Sequence, residues 1–283
     1  MKTKKTPANE PVHGIVIPCY NESSRLDLNT FIEFAKLHKG SILCFVNDGS
    51  ADDTRATLAS IKNFVHDNVY ICEVLENAGK AEAVRKGSLF LYNETAADTI
   101  GFLDADLSTG FEEYHELIDA MKNNSGKSVV FGSRNMKSHS ANIERNPVRK
   151  LLSEVIRLLI FCIIRVKIYD SQCGAKVFKR HIIPNIYDHT FCSRWLFDVE
   201  IILRMRKWLG KRQFVEIFLE KPLKNWVHMD GSKLGLKDSI MIPASLSRIW
   251  INYEYKSFMQ NFRKWTIQTS QNLLSKLFYL KFN

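Results

Sequence analysis

The chain is 283 residues long, 45% hydrophobic, and carries 40 Lys and Arg against 30 Asp and Glu, a formal net charge of +10. That length and apolar content suffice for one large core with appended helices. The basic balance suits nucleotide, nucleic acid or an anionic membrane as partner, and nucleic acid drops out because no recognised binding module or basic recognition helix is present.

In chain order, the opening MKTKKTPANEPVHG is charged but is not followed by the apolar core of a signal peptide, and no later run reaches transmembrane length. His13 to Leu26, HGIVIPCYNESSRL, begins as a β-type apolar run that stops at Pro18 and gives way to polar residues able to open a helix. Ile42 to Thr54, ILCFVNDGSADDT, is a second apolar run with a polar end. Tyr70 to Val74 is the third, followed by ENAGKAEAVRKG, where Gly79 and Lys80 precede a helical pattern. Thr99 to Leu103 and Ser128 to Phe131 are the fourth and fifth, with helix-length segments between successive runs. This βαβ alternation predicts a mainly parallel sheet, whose strand-following loops gather at one edge where open α/β proteins bind ligands.

The fourth run continues as GFLDADLSTG, Gly101 to Gly110, and sets Asp104 and Asp106 one residue apart at a strand end. With that spacing both carboxylates can face one crevice while Ala105 points away. Hard oxygen ligands of this kind suit Mg²⁺ or Mn²⁺ shared with water and substrate phosphate; the other reading is an ordinary turn or helix cap. Two rival nucleotide motifs fail. No Gly-x-Gly-x-x-Gly follows the first strand, and a phosphate loop ending at Gly79-Lys80 would need Gly at position 74 and Ser or Thr at 81, where the chain has Val74 and Ala81.

The ordered set VIPCYNE, VNDGS, NAGKAEAVRKG, DAD, GSR, DSQCGAKVFKR and RWLFDVE resembles the inverting family-two glycosyltransferases, and within them the dolichyl-phosphate β-glucosyltransferase and polyprenyl-phosphate glycosyltransferase branch. The match covers roughly Gly14 to Leu234. The resemblance implies the nucleotide-diphospho-sugar transferase (GT-A) fold, an α/β architecture with a mainly parallel Rossmann-like sheet flanked by helices, and C-terminal amphipathic helices after it. It implies that Pro18, Tyr20 and Glu22 wall the nucleoside site, that Asp48 accepts a base N–H, that Lys80 approaches base or diphosphate, and that Asp104 and Asp106 hold ribose and metal. The residue types suit these roles: an aromatic stacks on a base, a carboxylate accepts from an imide, and a lysine is a point charge for phosphate. Two positions depart from the pattern. Asn47 stands where many relatives have a first Asp, and Ser108 stands where phosphomannose-type synthases often have Gln.

The second half resembles the sugar and acceptor side of the same branch in Asp170 to Arg180, DSQCGAKVFKR, and Ser193 to Arg204, SRWLFDVEIILR. The resemblance puts Gln172 and Trp195 against the nucleotide sugar, Asp198 at the catalytic carboxylate, Arg134 and Arg194 on acceptor phosphate, and Lys233 of NWVHMDGSKL on a lid. Helical patterning alone offers another reading, with Trp195, Phe197 and Ile201 in the core and Asp198 and Glu200 on a wet face. Asn135 to Asn146 is polar and reads as a mobile loop.

From Val148, VRKLLSEVIRLLIFCIIRV carries Arg149, Lys150, Ser153, Glu154 and Arg157 on one helical face and then the apolar stretch Leu158 to Ile164, too short to span a bilayer. An interfacial or a core helix remains. After Glu254 the chain has no acid, but Lys256, Arg263, Lys264, Lys276 and Lys281 lie among Phe258, Phe262, Trp265, Leu277 and Phe278. That is the pattern of a segment on an anionic bilayer, with an oligomer contact or disorder as the other readings. The six cysteines, Cys19, Cys44, Cys72, Cys162, Cys173 and Cys192, lack metal-type spacing and lie mostly in apolar segments, which suits reduced thiols in cytoplasm.

Together these readings predict a flexible 1–12, a catalytic domain over 13–235 and a membrane-associating helical extension over 236–283. The expected activity is metal-dependent, inverting transfer of a hexose, glucose from UDP-glucose, to a polyprenyl phosphate by a peripheral protein at the cytoplasmic membrane face. A same-fold enzyme acting on a sugar hydroxyl, a GDP-mannose-dependent polyprenyl-phosphate mannosyltransferase and, remotely, a non-enzymatic nucleotide-sugar binder are the alternatives. A hydroxyl acceptor would demand Asp198 as general base, whereas a phosphate acceptor is already anionic.

Overall fold

The computed structural model describes residues 11–134, 147–227 and 236–255, together with Met259. The five apolar runs form five strands: β1 (His13–Cys19), β2 (Ser41–Asp48), β3 (Val69–Val74), β4 (Thr99–Leu103) and β5 (Val129–Ser133). Two further strands, β6 (Ala175–Lys179) and β7 (Phe218–Pro222), complete a seven-stranded sheet in the order β3-β2-β1-β4-β6-β5-β7. Neighbours pair in parallel except β6, which runs antiparallel to both β4 and β5. The strand does not stop at Pro18 but runs on to Cys19, pairing Pro18 with Val46 after β4 has ceased to pair at Val16. With one flank of β1 open from there, a residue lacking an N–H is tolerated.

Helices cover both faces, as expected for strands that read as continuous apolar runs. On one face α1 (Leu28–Leu37), α2 (Thr54–Phe64) and α4 (Phe111–Asn123) bury Phe31, Leu58 and Leu117 against Ile15, Ile17 and Phe45. On the other, α3 (Lys80–Glu94), α5 (Pro147–Ile164), α6 (Ile183–Tyr187), α7 (Phe197–Ile217) and α8 (Leu236–Trp250) pack over Val16, Val46, Phe102, Phe131 and Phe178. Asp27 caps α1 by accepting from the Thr30 N–H. The α5 helix is anchored through Ile160, Ile163 and Ile164, whereas Val155, Leu158, Leu159 and Phe161 face outward. Helix α8 packs on α5 and contributes Leu246 and Ile249 to the same core.

Because β1, β2, β4 and β5 are parallel, the polar segments following them meet at one edge of the sheet. The antiparallel course of β6 brings its entry, Gly174, to that edge, since Leu103 pairs with Ala175. A cavity of about 730 Å³ lies instead at the opposite edge, lined among others by His13, Asp98, Thr99 and Lys122.

There the buried His13 ring lies 2.8 Å (Nδ1) from Thr99 Oγ1, tying β1 to β4. Burial, reinforced by the charges of Lys122 and His115 against those of Asp98 and Asp119, pushes its imidazole from an ordinary 6.5 down to about 4. The unfolded chain therefore binds this proton at higher pH than the folded one, so stability is full above about 6.5 and falls as pH drops toward 4. His115, lowered chiefly by burial, adds to the same slope. Urea unfolding across that window is expected to show the decline, and His13→Gln should flatten it.

Candidate active site

At the ligand edge the strand end of β4 places Ala105 inward and Asp104 and Asp106 toward the crevice, each beside a basic side chain. Lys80, the first residue of α3, brings Nζ within 2.5 Å of Asp104 Oδ1. Arg25 donates from Nη2 to Asp106 Oδ2 at 3.0 Å, while Asp106 Oδ1 accepts the Ser108 N–H at 3.0 Å. Burial works against the charged form of Lys80, but the charge and hydrogen bond of Asp104 outweigh it and hold the amine above its ordinary value. Gly174 explains how β6 can pass so close: a Cβ there would sit 2.1 Å from Asp104 Oδ2.

The nucleoside wall expected from Pro18, Tyr20 and Glu22 lies on the same edge. Tyr20 is exposed at the end of β1, Pro18 is half-buried, and the buried Glu22 is fixed through its N–H on Thr54 Oγ1 at 2.8 Å. Asp48 is only 2% exposed and its two carboxylate oxygens accept the N–H groups of Ala78 at 3.0 Å and Gly79 at 2.7 Å. It thereby shapes the turn in which Gly79 takes φ +95°, a conformation open to glycine, and aims Lys80. Any contact from Asp48 to a base must use its remaining lone pairs.

On the other side of the crevice Arg134 forms a two-pronged pair with Asp170, at 2.7 and 2.8 Å, and its backbone N–H donates to the same carboxylate at 3.0 Å. Burial alone would raise Asp170, yet the hydrogen bonds and charge of Arg134 hold it below the usual carboxylate range. Arg134 also lies 5.6 Å from the Trp226 ring centroid. Arg194 is exposed, and its Nη2 donates to Asn77 O at 2.9 Å and to Asn77 Oδ1, while its carbonyl accepts the Ala81 N–H at 3.1 Å. It clasps the turn before α3. Trp195 is half-buried beside it, and Gln172 presents a buried Nε2 with no hydrogen-bond partner among the described residues. Lys233 lies outside the described residues, as do the polar loop 135–146 and the tail beyond Tyr255 apart from Met259.

Phe197 and Ile201 enter the core of α7 as helical patterning suggests, but Asp198 and Glu200 are not on a wet face; both are buried. Glu200 accepts the N–H groups of Cys192 at 3.0 Å and Ser193 at 2.9 Å and the Tyr253 hydroxyl at 3.0 Å, so it holds the loop ahead of α7. Asp198 is 2.8 Å (Oδ1) from Lys176 Nζ. Lys176 is fully buried, donates to Cys173 O at 2.5 Å, and sits 4.6 and 5.1 Å from the Phe131 and Phe102 ring centroids. Burial raises the Asp198 carboxyl, opposed by Lys176 and then Lys80. Lys176 and Arg25 are the charged partners of candidate site residues that motif reading missed. The signal for Lys176 was alternation in AKVFK, which puts it on the face of Phe178 in an inner strand, where a lysine requires an acid.

Among the described residues no group of three or more His, Cys, Asp or Glu is placed to hold a metal ion. The donor set at the edge, two aspartates with hard oxygens, fits a cation that completes its shell with water and a substrate diphosphate, as Mg²⁺ and Mn²⁺ do.

A protein-family model described as "Glycosyl transferase family 2" matches residues 14–186. The chain is 34% identical over 260 residues to dolichyl-phosphate beta-glucosyltransferase of Saccharomyces cerevisiae, covering 85% of this chain and 74% of the relative. It is 29% identical to the protein of that name from Dictyostelium discoideum, covering 88% and 77%. Among solved structures, glucosyl-3-phosphoglycerate synthase of Mycobacterium tuberculosis in complex with Mn²⁺, UDP and phosphoglyceric acid superposes with a TM-score of 0.62 at 16% identity, covering 84% of this chain and 78% of that one. At that identity the likeness is one of fold.

Removing one partner of a buried ion pair strands the other charge, which typically costs about 3 to 5 kcal/mol. Lys176→Met is expected to destabilise the protein on that scale, and the double change Lys176→Met/Asp198→Leu should recover most of the loss. Denaturant unfolding of the two variants and the parent measures both values.

Proposed function

The chain belongs to glycosyl transferase family 2, and we propose that it transfers glucose from UDP-glucose, with inversion, to a polyprenyl phosphate of the dolichyl type. The observation that carries the acceptor assignment is the Lys176–Asp198 pair. A catalytic base must reach the acceptor proton, yet the Asp198 side chain is buried and its Oδ1 is paired with a lysine that has no exposed surface. A phosphate acceptor needs no such base, because it is anionic near neutral pH. The name shared by the yeast and slime-mould relatives supports the same acceptor and sugar.

In this reading Tyr20 stacks on the base, Lys80 neutralises diphosphate, Gln172 Nε2 finds its missing acceptor on the nucleotide sugar, and Arg134, kept cationic by Asp170, meets the acceptor phosphate. Arg194 joins Arg134 on the acceptor phosphate and Trp195 faces the sugar, with Asp198 orienting. Asp104 and Asp106 would hold Mg²⁺ or Mn²⁺, which when bound supplies positive charge to the departing nucleoside diphosphate. Lys233 remains a lid cation proposed from sequence alone.

Membrane contact is proposed on two grounds. No helix among the described residues is long and apolar enough to cross a membrane, but α5 and α8 lie side by side and expose Val155, Leu158 (61%), Phe161 (48%), Met241 and Trp250. The basic, aromatic tail follows directly. We place this surface on the cytoplasmic leaflet, with 13–235 as the catalytic unit and 236–283 as its membrane-associating extension.

Incubation with labelled nucleotide sugars, polyprenyl phosphate and membranes tests the assignment. Glucose-labelled lipid from UDP-glucose is expected; a soluble glycan product, or mannose transfer from GDP-mannose, would replace it. Asp104→Asn and Asp106→Asn should each lower turnover by a hundredfold or more, on the order of 3 kcal/mol of charge stabilisation, with an unchanged melting curve. Near-normal rates in both would remove the metal pair from the chemistry. For the membrane face, Leu158→Asp/Phe161→Asp should cut co-sedimentation with anionic vesicles at least tenfold, because each buried apolar side chain contributes about 1.5 to 3 kcal/mol. Equal sedimentation would leave the tail as the sole contact.

A further inference from the structure

Asp106 has one oxygen fixed by the Ser108 N–H, and its other oxygen, Oδ2, is occupied by Arg25 at 3.0 Å. The Arg25 backbone is held by a turn, its N–H donating to Glu22 O at 2.9 Å, and the next residue, Leu26, is buried. Its guanidinium bridges outward between Asp106 and Glu22, whose Oε2 lies 3.5 Å away. The side chain is 21% exposed and that of Lys80, on Asp104, is 24%. Lys176 on Asp198 has no exposure at all. The crevice therefore holds one sealed ion pair, Lys176–Asp198, and three whose cations border solvent, those of Lys80, Arg25 and Arg134.

We infer that Arg25 is a resident counter-cation of Asp106 that competes with a bare divalent ion for the carboxylate and turns to the diphosphate when ion and nucleotide bind together. The inference rests on reading Asp104 and Asp106 as the metal carboxylates. A guanidinium and a divalent cation on the same oxygen repel one another, so Arg25 weakens binding of the ion alone. A diphosphate brings the negative charge that lets both cations stay, and Arg25, with its fork of donors, suits phosphate oxygens as well as it suits a carboxylate. Arg25 thus couples the two ligands, and by linkage each raises the affinity of the other by the same factor. The protein consequently selects the ion–nucleotide pair over the free ion.

Titration calorimetry with Mn²⁺ alone, and with UDP in the absence and presence of saturating Mn²⁺, tests this without turnover. Arg25→Gln is expected to bind Mn²⁺ alone about tenfold more tightly and UDP with Mn²⁺ about tenfold more weakly, shrinking the coupling factor accordingly. Arg25→Lys, which keeps the charge, should restore most of the coupling. Arg25→Met, which keeps the apolar stem, carries the test if the glutamine variant does not fold. Unchanged Mn²⁺ affinity or an unchanged coupling factor in either folded neutral variant overturns the inference. Asp106→Asn separates the premise: it should abolish Mn²⁺ binding, and if it does not, the metal reading fails and this inference with it.

Discussion

A lysine with no exposed surface can be charged inside a sheet only if an acid meets it there, and the Lys176–Asp198 pair is that meeting. It couples β6, the antiparallel strand among the described ones, to the first turn of α7. The two aromatic rings around the amine, Phe102 and Phe131, come from the strands on either side of β6. Two residues before Lys176, Gly174 lies against Asp104, which follows the neighbouring strand β4.

Around that sealed pair the crevice keeps its charges in compensated form. Asp104 faces Lys80, Asp106 faces Arg25, and Asp170 faces Arg134. Acids clustered at one sheet edge would otherwise repel and raise each other's proton affinity. Compensation by cations that border solvent offsets that repulsion in the free protein. Lys80, Arg25 and Arg134 are thus held in ion pairs rather than bare.

The helices that follow β5 divide their surface in a related way. Ile160, Ile163 and Ile164 of α5 close the core, Leu246 and Ile249 of α8 do the same, and each of these two packed helices also exposes apolar residues. Helical periodicity alone leaves an interfacial and a buried helix as alternatives; in the fold one stripe of α5 covers the sheet and another remains at the surface.

The amino-acid sequence by itself determined the five apolar strands, their parallel alternation and the gathering of VIPCYNE, VNDGS, NAGK and DAD at one edge, because these depend on local periodicity and on the direction that βαβ connections impose. It also determined the family, through motifs whose order survives without knowledge of contacts. The tertiary structure alone decided that AKVFK, within DSQCGAKVFKR, is a strand inserted antiparallel between β4 and β5, for a segment carrying a lysine reads as surface until its distant partner, Asp198, is in place. Arg25 was invisible for the same reason: its acid, Asp106, lies 81 residues away along the chain. Asp48 reads from sequence as a ligand-facing carboxylate, and only the folded turn shows that each of its oxygens also accepts a backbone N–H, from Ala78 and Gly79. Pattern and propensity are properties of neighbours in sequence, whereas charge compensation is a property of neighbours in space.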